Sequence, residues 1–180
     1  MKTHEFAIIA SGPDPNAEDF EDKFFNAGCG DATISLQKGV IILEFAREAQ
    51  NFARALITAF VDVKRAGAKV ERVEPDYLVS LADIAKRSGL SRAAISLYCK
   101  GARAEGFPAP VARVTSESPL WDWAEVARWM FRNGKLSADV VLKARMVRGA
   151  NIVVQTIPFA HDQFMKRLEE SMASLDAATA

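Results

Sequence analysis

Cys29 and Cys99, His4 and His161, and the acidic run Glu18, Asp19, Glu21 and Asp22 are the residues whose types could support nucleophilic or metal chemistry. Their spacing argues against it. The cysteines lie far apart with no CxxC pair, and the histidines sit near opposite ends, so sequence neighbours supply no zinc-ligand set. Each cysteine reads as a buried, reduced thiol. The acidic run falls at a helix start, where carboxylates complement the free amide dipoles, a simpler role than holding a cation. There is no glycine-rich phosphate loop, no nucleophile with a neighbouring base, and no carboxylate pair in an apolar setting. An enzyme is therefore the least expected class, and no cofactor or metal is expected.

The elements around these residues come from a chain of 180 residues that is 49 % hydrophobic and 26 % charged, a composition suited to a folded protein in water. Runs such as Val40 to Leu43 and Ile152 to Val154 fall far short of the roughly 20 apolar residues that cross a bilayer. The start Met1-Lys2-Thr3-His4-Glu5 does not resemble a signal peptide, so a cytoplasmic location is expected. Lys and Arg (23) balance Asp and Glu (23) overall, but unevenly along the chain. Residues 1–76 carry 9 basic and 13 acidic side chains, residues 77–133 carry 8 and 5, and residues 134–180 carry 6 and 5. A polyanion is therefore expected to meet the middle of the chain.

Residues 1–76 predict a strand over Glu5 to Ala10 and a helix capped by Asn16 that runs to Ala27, burying Phe20, Phe24 and Ala27 with Phe25 beside them. Two strands, Ala32 to Gln37 and Val40 to Ala46, flank Lys38-Gly39 as a hairpin. In the first of these, Ile34 and Leu36 alternate with Thr33, Ser35 and Gln37, which predicts one buried and one wet face. A helix over about Glu48 to Ala66 and a strand over Lys69 to Val73 complete the order βαββαβ. That order predicts a ferredoxin-like α+β domain, a fold that hosts many functions. Dimerisation, protein docking and small-ligand sensing remain open for it.

In the middle segment, Ser80-Leu81-Ala82-Asp83 fits a capping box that opens a helix through Ser88. Gly89 supplies a tight turn, and Ser91 caps a second helix ending near Lys100 and Gly101. Small Ala85, with Ile84, Leu90, Ile95 and Tyr98, is spaced to fill the gap between the helices, and the pair resembles a helix-turn-helix. The next stretch contains Gly106-Phe107-Pro108-Ala109-Pro110, the polar turn Thr115-Ser116-Glu117-Ser118, and Trp121-Asp122-Trp123-Ala124-Glu125-Val126-Ala127-Arg128-Trp129. Over about residues 78–132 the chain resembles the excisionase and phage-regulator branch of the MerR-like winged helix-turn-helix proteins. It departs from them in a longer loop, Ala102 to Ala109.

The resemblance implies that Ser91, Arg92, Ala93, Ser96, Leu97 and Lys100 face a DNA major groove, with Arg113, and Arg103 in the longer loop, on phosphates. Arg92 can donate a bidentate pair to guanine, Ser96 can bond a base or phosphate, Ala93 can touch a thymine methyl, and Lys100 can neutralise a phosphate. Trp121, Trp123 and Trp129 could stack on single-stranded bases. Their helical spacing with Val126 instead predicts core indoles packed on Ile84, Ile95 and Phe107.

After Asn133-Gly134, a helix opened by Ser137 and Asp139 carries Val140, Ala144, Val147, Asn151 and Val154 as a stripe, with a short strand over Ile152 to Val154 as the alternative. A second stripe follows Pro158, with Phe164, Leu168, Met172 and Leu175. Residues 134–180 are thus expected to mediate a homodimer or to pack on the N-terminal domain. Lys143, Arg145 and Arg148 read as a solvated face. The whole chain reads as a sequence-specific double-stranded DNA-binding protein, a nucleoid-associated transcriptional regulator. Other open readings are an excisionase-like architectural factor, an antitoxin-like adaptor, and a regulator whose N-terminal domain senses a small molecule or protein ligand.

Overall fold

The computed structural model describes residues 1–156 together with Lys166 and Glu170. The stripe Phe164, Leu168, Met172 and Leu175, and His161, lie outside the described residues. The protein is a mixed α+β chain whose described residues form two compact units, residues 1–75 with 149–156, and residues 76–148. No helix among the described residues is long and apolar enough to cross a membrane.

In the first unit, β1 (Lys2–Ser11), β2 (Ala32–Gln37), β3 (Val40–Ala49) and β4 (Lys69–Glu74) form an antiparallel sheet in the order β2-β3-β1-β4. Alternation decides the faces. Phe6, Ile8 and Ala10 of β1 stand opposite Phe45, Leu43 and Ile41 of β3, and all six are buried. The helix α2 (Phe52–Arg65) closes this face with Leu56, Ala59, Phe60 and Val63, and Asn51 caps it by accepting from the Arg54 N–H at 2.9 Å. The aromatic centre is ordered, with Phe6 stacked on Phe45 at 5.3 Å and edge-on to Phe52 at 5.7 Å.

Two expectations for this unit are corrected. Helix α1 spans only Phe20–Phe24: Asn16 lies in a turn where its amide groups donate to the Asp14 carboxylate at 2.9 and 3.2 Å, and the helix begins only after a further turn in which the Phe20 N–H donates to the Ala17 carbonyl at 3.0 Å. The chain then passes through a π-helical turn, Phe25–Cys29, which leaves Phe25 outside while Phe20, Phe24 and Ala27 are buried. On β2, Leu36 is 51 % exposed although it shares the helix-facing side with Ile34, since β2 is an edge strand and the helices do not reach over it.

Two polar residues interrupt the buried face, and they are cross-strand partners, His4 and Arg47. The His4 ring meets the edge of Phe52 at 6.0 Å. Arg47 gathers four hydrogen bonds, two to Asp31 at 2.8 Å, one to Asp62 at 2.7 Å and one to the Gly28 carbonyl at 2.8 Å. These bonds tie β3, α2 and the π-helical turn together. Gly28 itself sits at φ +108°, and a Cβ there would meet the Asp62 carboxylate at 2.9–3.0 Å, so only glycine fits beside this hub.

In the second unit, β5 (Leu78–Val79) pairs antiparallel with β6 (Trp121–Asp122), and α3 (Leu81–Ser88), α4 (Arg92–Cys99) and α5 (Trp123–Arg132) enclose one core. Ile84, Ala85, Ile95, Tyr98, Val126 and Met130 fill it together with all three indoles. Helix α6 (Ala138–Thr156) contributes Val141 and Ala144 to this core. Its later residues 149–156 belong to the first unit, and Ile152 to Val154 are helical rather than extended.

Candidate nucleic-acid interface

Helix α3 starts on the capping box read in the sequence. Ser80 accepts from the Asp83 N–H at 3.2 Å, and the Asp83 carboxylate accepts from the Ser80 N–H at 2.9 Å. The Ser80 hydroxyl also donates to the Asp83 carboxylate at 2.6 Å, and this bond, with the one from the Ser80 N–H, holds the Asp83 carboxyl below its usual range. Gly89 closes the helix in the left-handed region, and Ser91 opens α4 by accepting from the Ala94 N–H at 3.1 Å. Burial of Ala94, Ile95 and Tyr98 then leaves Ser91, Arg92, Ala93, Leu97 and Lys100 exposed and Ser96 half-buried. Six residues singled out in the sequence therefore lie on the solvent side of one short helix or at its caps.

Arg92, Lys100 and Arg113 form no ion pair with any of the described residues. Cations elsewhere in the unit behave differently. Arg148 bonds the buried Asp122 at 2.9 Å and reaches Glu125 at 3.4 Å, Arg128 pairs with Glu125, and Lys143 with Asp139. Arg148 is thus a structural tie from α6 to the start of α5 and not part of a wholly solvated face. Lys86, exposed on α3 and also without an ion pair among the described residues, is a cation that the sequence reading passed over. Its position beside buried Ala85 on a predicted helix was the available signal.

The stretch after α4 is pinned by tryptophan. The Trp129 indole N–H donates to the Glu105 carbonyl at 3.1 Å and the Trp121 indole N–H to the Pro108 carbonyl at 3.1 Å. Phe107 packs between Tyr98 and Trp129, with ring centroids 6.4 and 5.0 Å away. The indoles are therefore spent on core and loop, which leaves them no free face for stacked bases. Arg103 is exposed, with its guanidinium over the Tyr98 ring at 5.8 Å.

Ala112 and Leu120 form a bridge in which the Leu120 N–H donates to Ala112 at 2.9 Å, and the intervening residues 113–119 make a projecting loop. Arg113 begins it at φ +53°, strained for a residue with a Cβ, and its carbonyl accepts from the Ser116 N–H and hydroxyl at 2.9 and 2.8 Å. Val114 stands 61 % exposed in the same loop.

Within the second unit, 12 basic side chains face 7 acidic ones, so it is the cationic part of the protein. No group of metal-binding side chains occurs among the described residues. Burial pushes the Cys29 thiol up to about 11 and the Cys99 thiol above its usual value, the opposite of what a reactive thiolate needs. No protein-family model, curated protein or solved structure matches this chain.

Proposed function

We propose that residues 78–132 form a winged helix-turn-helix of the MerR-like, excisionase-related kind, and that the protein reads double-stranded DNA sequence-specifically as a transcriptional regulator. The observation that carries this reading is the outer face of α4. Its N-terminal half presents small Ser91 and Ala93 beside Arg92, and Lys100 follows at its C-terminal cap, with neither cation in an ion pair among the described residues. A helix seated in a major groove uses such a face, small residues allowing close approach while arginine reads guanine and lysine meets phosphate. The loop 113–119 supplies a wing, with Arg113 on the neighbouring backbone, and Arg103 and Lys86 add phosphate contacts. The strand order β2-β3-β1-β4 and the βαββαβ succession support a ferredoxin-like reading of the first unit. A cytoplasmic, nucleoid-associated protein acting as a homodimer fits this function.

The test is selection of the full-length protein against a random duplex library across a salt series, with Arg92→Ala alongside. The reading expects enriched sequences, affinity that falls as salt rises, and loss of that enrichment in the variant. Absence of binding at low salt would overturn it and make the exposed Leu97 and Val114 a protein-docking surface instead.

A further inference from the structure

The sheet of the first unit has two edges, and the chain treats them differently. On β4, the Asn151 side chain takes up the N–H and C=O of Val73, so that edge is engaged at one residue, and Lys69, Glu71, Arg72 and Glu74 place charges along it. On β2, the Asp31 carbonyl accepts from the Ala46 N–H at 3.1 Å. That bond turns the odd-numbered backbone groups toward β3 and leaves those of Ala32, Ile34 and Leu36 directed at the open edge. Among the described residues no hydrogen bond reaches these six groups. Nor does β2 carry proline, a charged side chain or a bulge, the devices that guard a free edge.

We infer that β2 pairs antiparallel with β2 of a second copy of this chain, about a two-fold axis through Ile34. Antiparallel partners must share a face, so the axis falls on a residue, and at Ile34 all six open backbone groups of each strand find partners. The register places Ile34 opposite Ile34 and Leu36 opposite Ala32, which brings Lys38, in the turn that follows β2, to the end of the strand near Gly30 of the other copy.

The side chains favour that register. Beside β2 lies a hollow of about 370 Å³ lined by Glu21, Asp22, Phe25, Gly30, Ala32 and Ile34. Leu36, 51 % exposed, and Phe25, 69 % exposed, are apolar groups at this edge that no other described residue covers. Across the axis, Leu36 meets the Ala32 end of the hollow in the second copy. Lys38, exposed and without an ion pair among the described residues, arrives at its Gly30 side, where Glu21 and Asp22 supply the opposite charge. The same contacts repeat by symmetry, which makes the edge complementary to itself and favours a second copy over a foreign strand. Two copies joined in this way carry two copies of α4, although the pairing does not rest on the DNA-binding reading.

Sedimentation equilibrium of the full-length protein from about 1 to 500 μM reads the association directly. A monomer–dimer equilibrium is expected, with Lys38→Glu weakening it about tenfold and the pair Lys38→Glu with Asp22→Lys restoring it. Ile34→Cys is expected to form a reducible dimer, because the axis places residue 34 against itself, whereas Leu36→Cys, offset along the strand, does not. Circular dichroism confirms that each variant folds. A monomer at every concentration would overturn the proposal, as would a dimer indifferent to Lys38→Glu that leaves Ile34→Cys uncrosslinked.

Discussion

Asn151 and Val73, 78 positions apart, are joined by two hydrogen bonds in which the side-chain oxygen accepts from the Val73 N–H at 2.8 Å and the amide nitrogen donates to its carbonyl at 2.9 Å. A carboxamide carries the same donor and acceptor pair as a peptide group, so Asn151 serves β4 as a one-residue neighbouring strand. It is 1 % exposed, and Ala144 and Val147 of the same α6 stripe are buried as well. The middle of the expected stripe is therefore already covered within the chain, and its ends, Val140 and Val154, are half-buried.

Replacing Asn151 with Leu keeps the size but strands both groups of Val73. Each buried polar group left unpaired costs about 1–3 kcal/mol, so urea unfolding should show a marked loss of stability. An unchanged unfolding midpoint would mean that water replaces the carboxamide.

Arg47→Met removes the partner of two carboxylates and of the Gly28 carbonyl at once. Breaking such a pair from one side costs about 3–5 kcal/mol. Arg47→Lys should rescue only part of it, because an ammonium cannot reproduce the planar fork that bonds Asp31 twice. Thermal melts of the three proteins check the order.

The stability profile should have an acid limb set partly by Asp83. Its folded carboxyl ionises below the unfolded one, so the capping box stabilises above the ordinary carboxylate range and loses that contribution as the pH falls through the folded value. Asp83→Asn should flatten this limb in acid titrations followed by circular dichroism.

At the alkaline end the sign reverses for Cys29. Between its ordinary value of 9.0 and its folded value of about 11, the unfolded chain releases the thiol proton while the folded chain retains it, so stability falls as pH rises. Cys29→Ala or Cys29→Ser should weaken this dependence, and iodoacetamide should label native Cys29 far more slowly than the denatured thiol.

For DNA, Arg92→Ala should cost about 1–3 kcal/mol at the preferred site and relax one base position. Arg113→Ala should instead weaken binding to all sequences and lower the salt slope by about 1. Arg113→Gly separates loop strain from charge: it relieves the +53° backbone and should stabilise the fold while weakening DNA binding as Arg113→Ala does.

Much of the architecture was legible in the residues because it depends on short-range rules. The period-two run over Ala32 to Gln37, the capping box at Ser80, the left-handed turn at Gly89 and the indoles spaced for a core each act within a few positions. The outward positions of Arg92 and Lys100 follow from the same periodicity, since burying Ile95 and Tyr98 assigns the opposite face. Asn16 failed as a cap because the chain makes two further turns, Asp14 to Ala17 and Ala17 to Phe20, before the helix begins.

Tertiary structure decided what depends on partners distant in sequence. Arg47 continues a buried alternation as a charged residue, and only the arrival of Asp31, Asp62 and Gly28 makes that position tolerable. Leu36 has the pattern of a buried residue, but strand order puts it at an edge beyond the helices. Likewise, the α6 stripe announces a need for cover without saying whose surface meets it. Periodicity fixes which face of an element is apolar, whereas the neighbour that covers that face is chosen by the path of the whole chain.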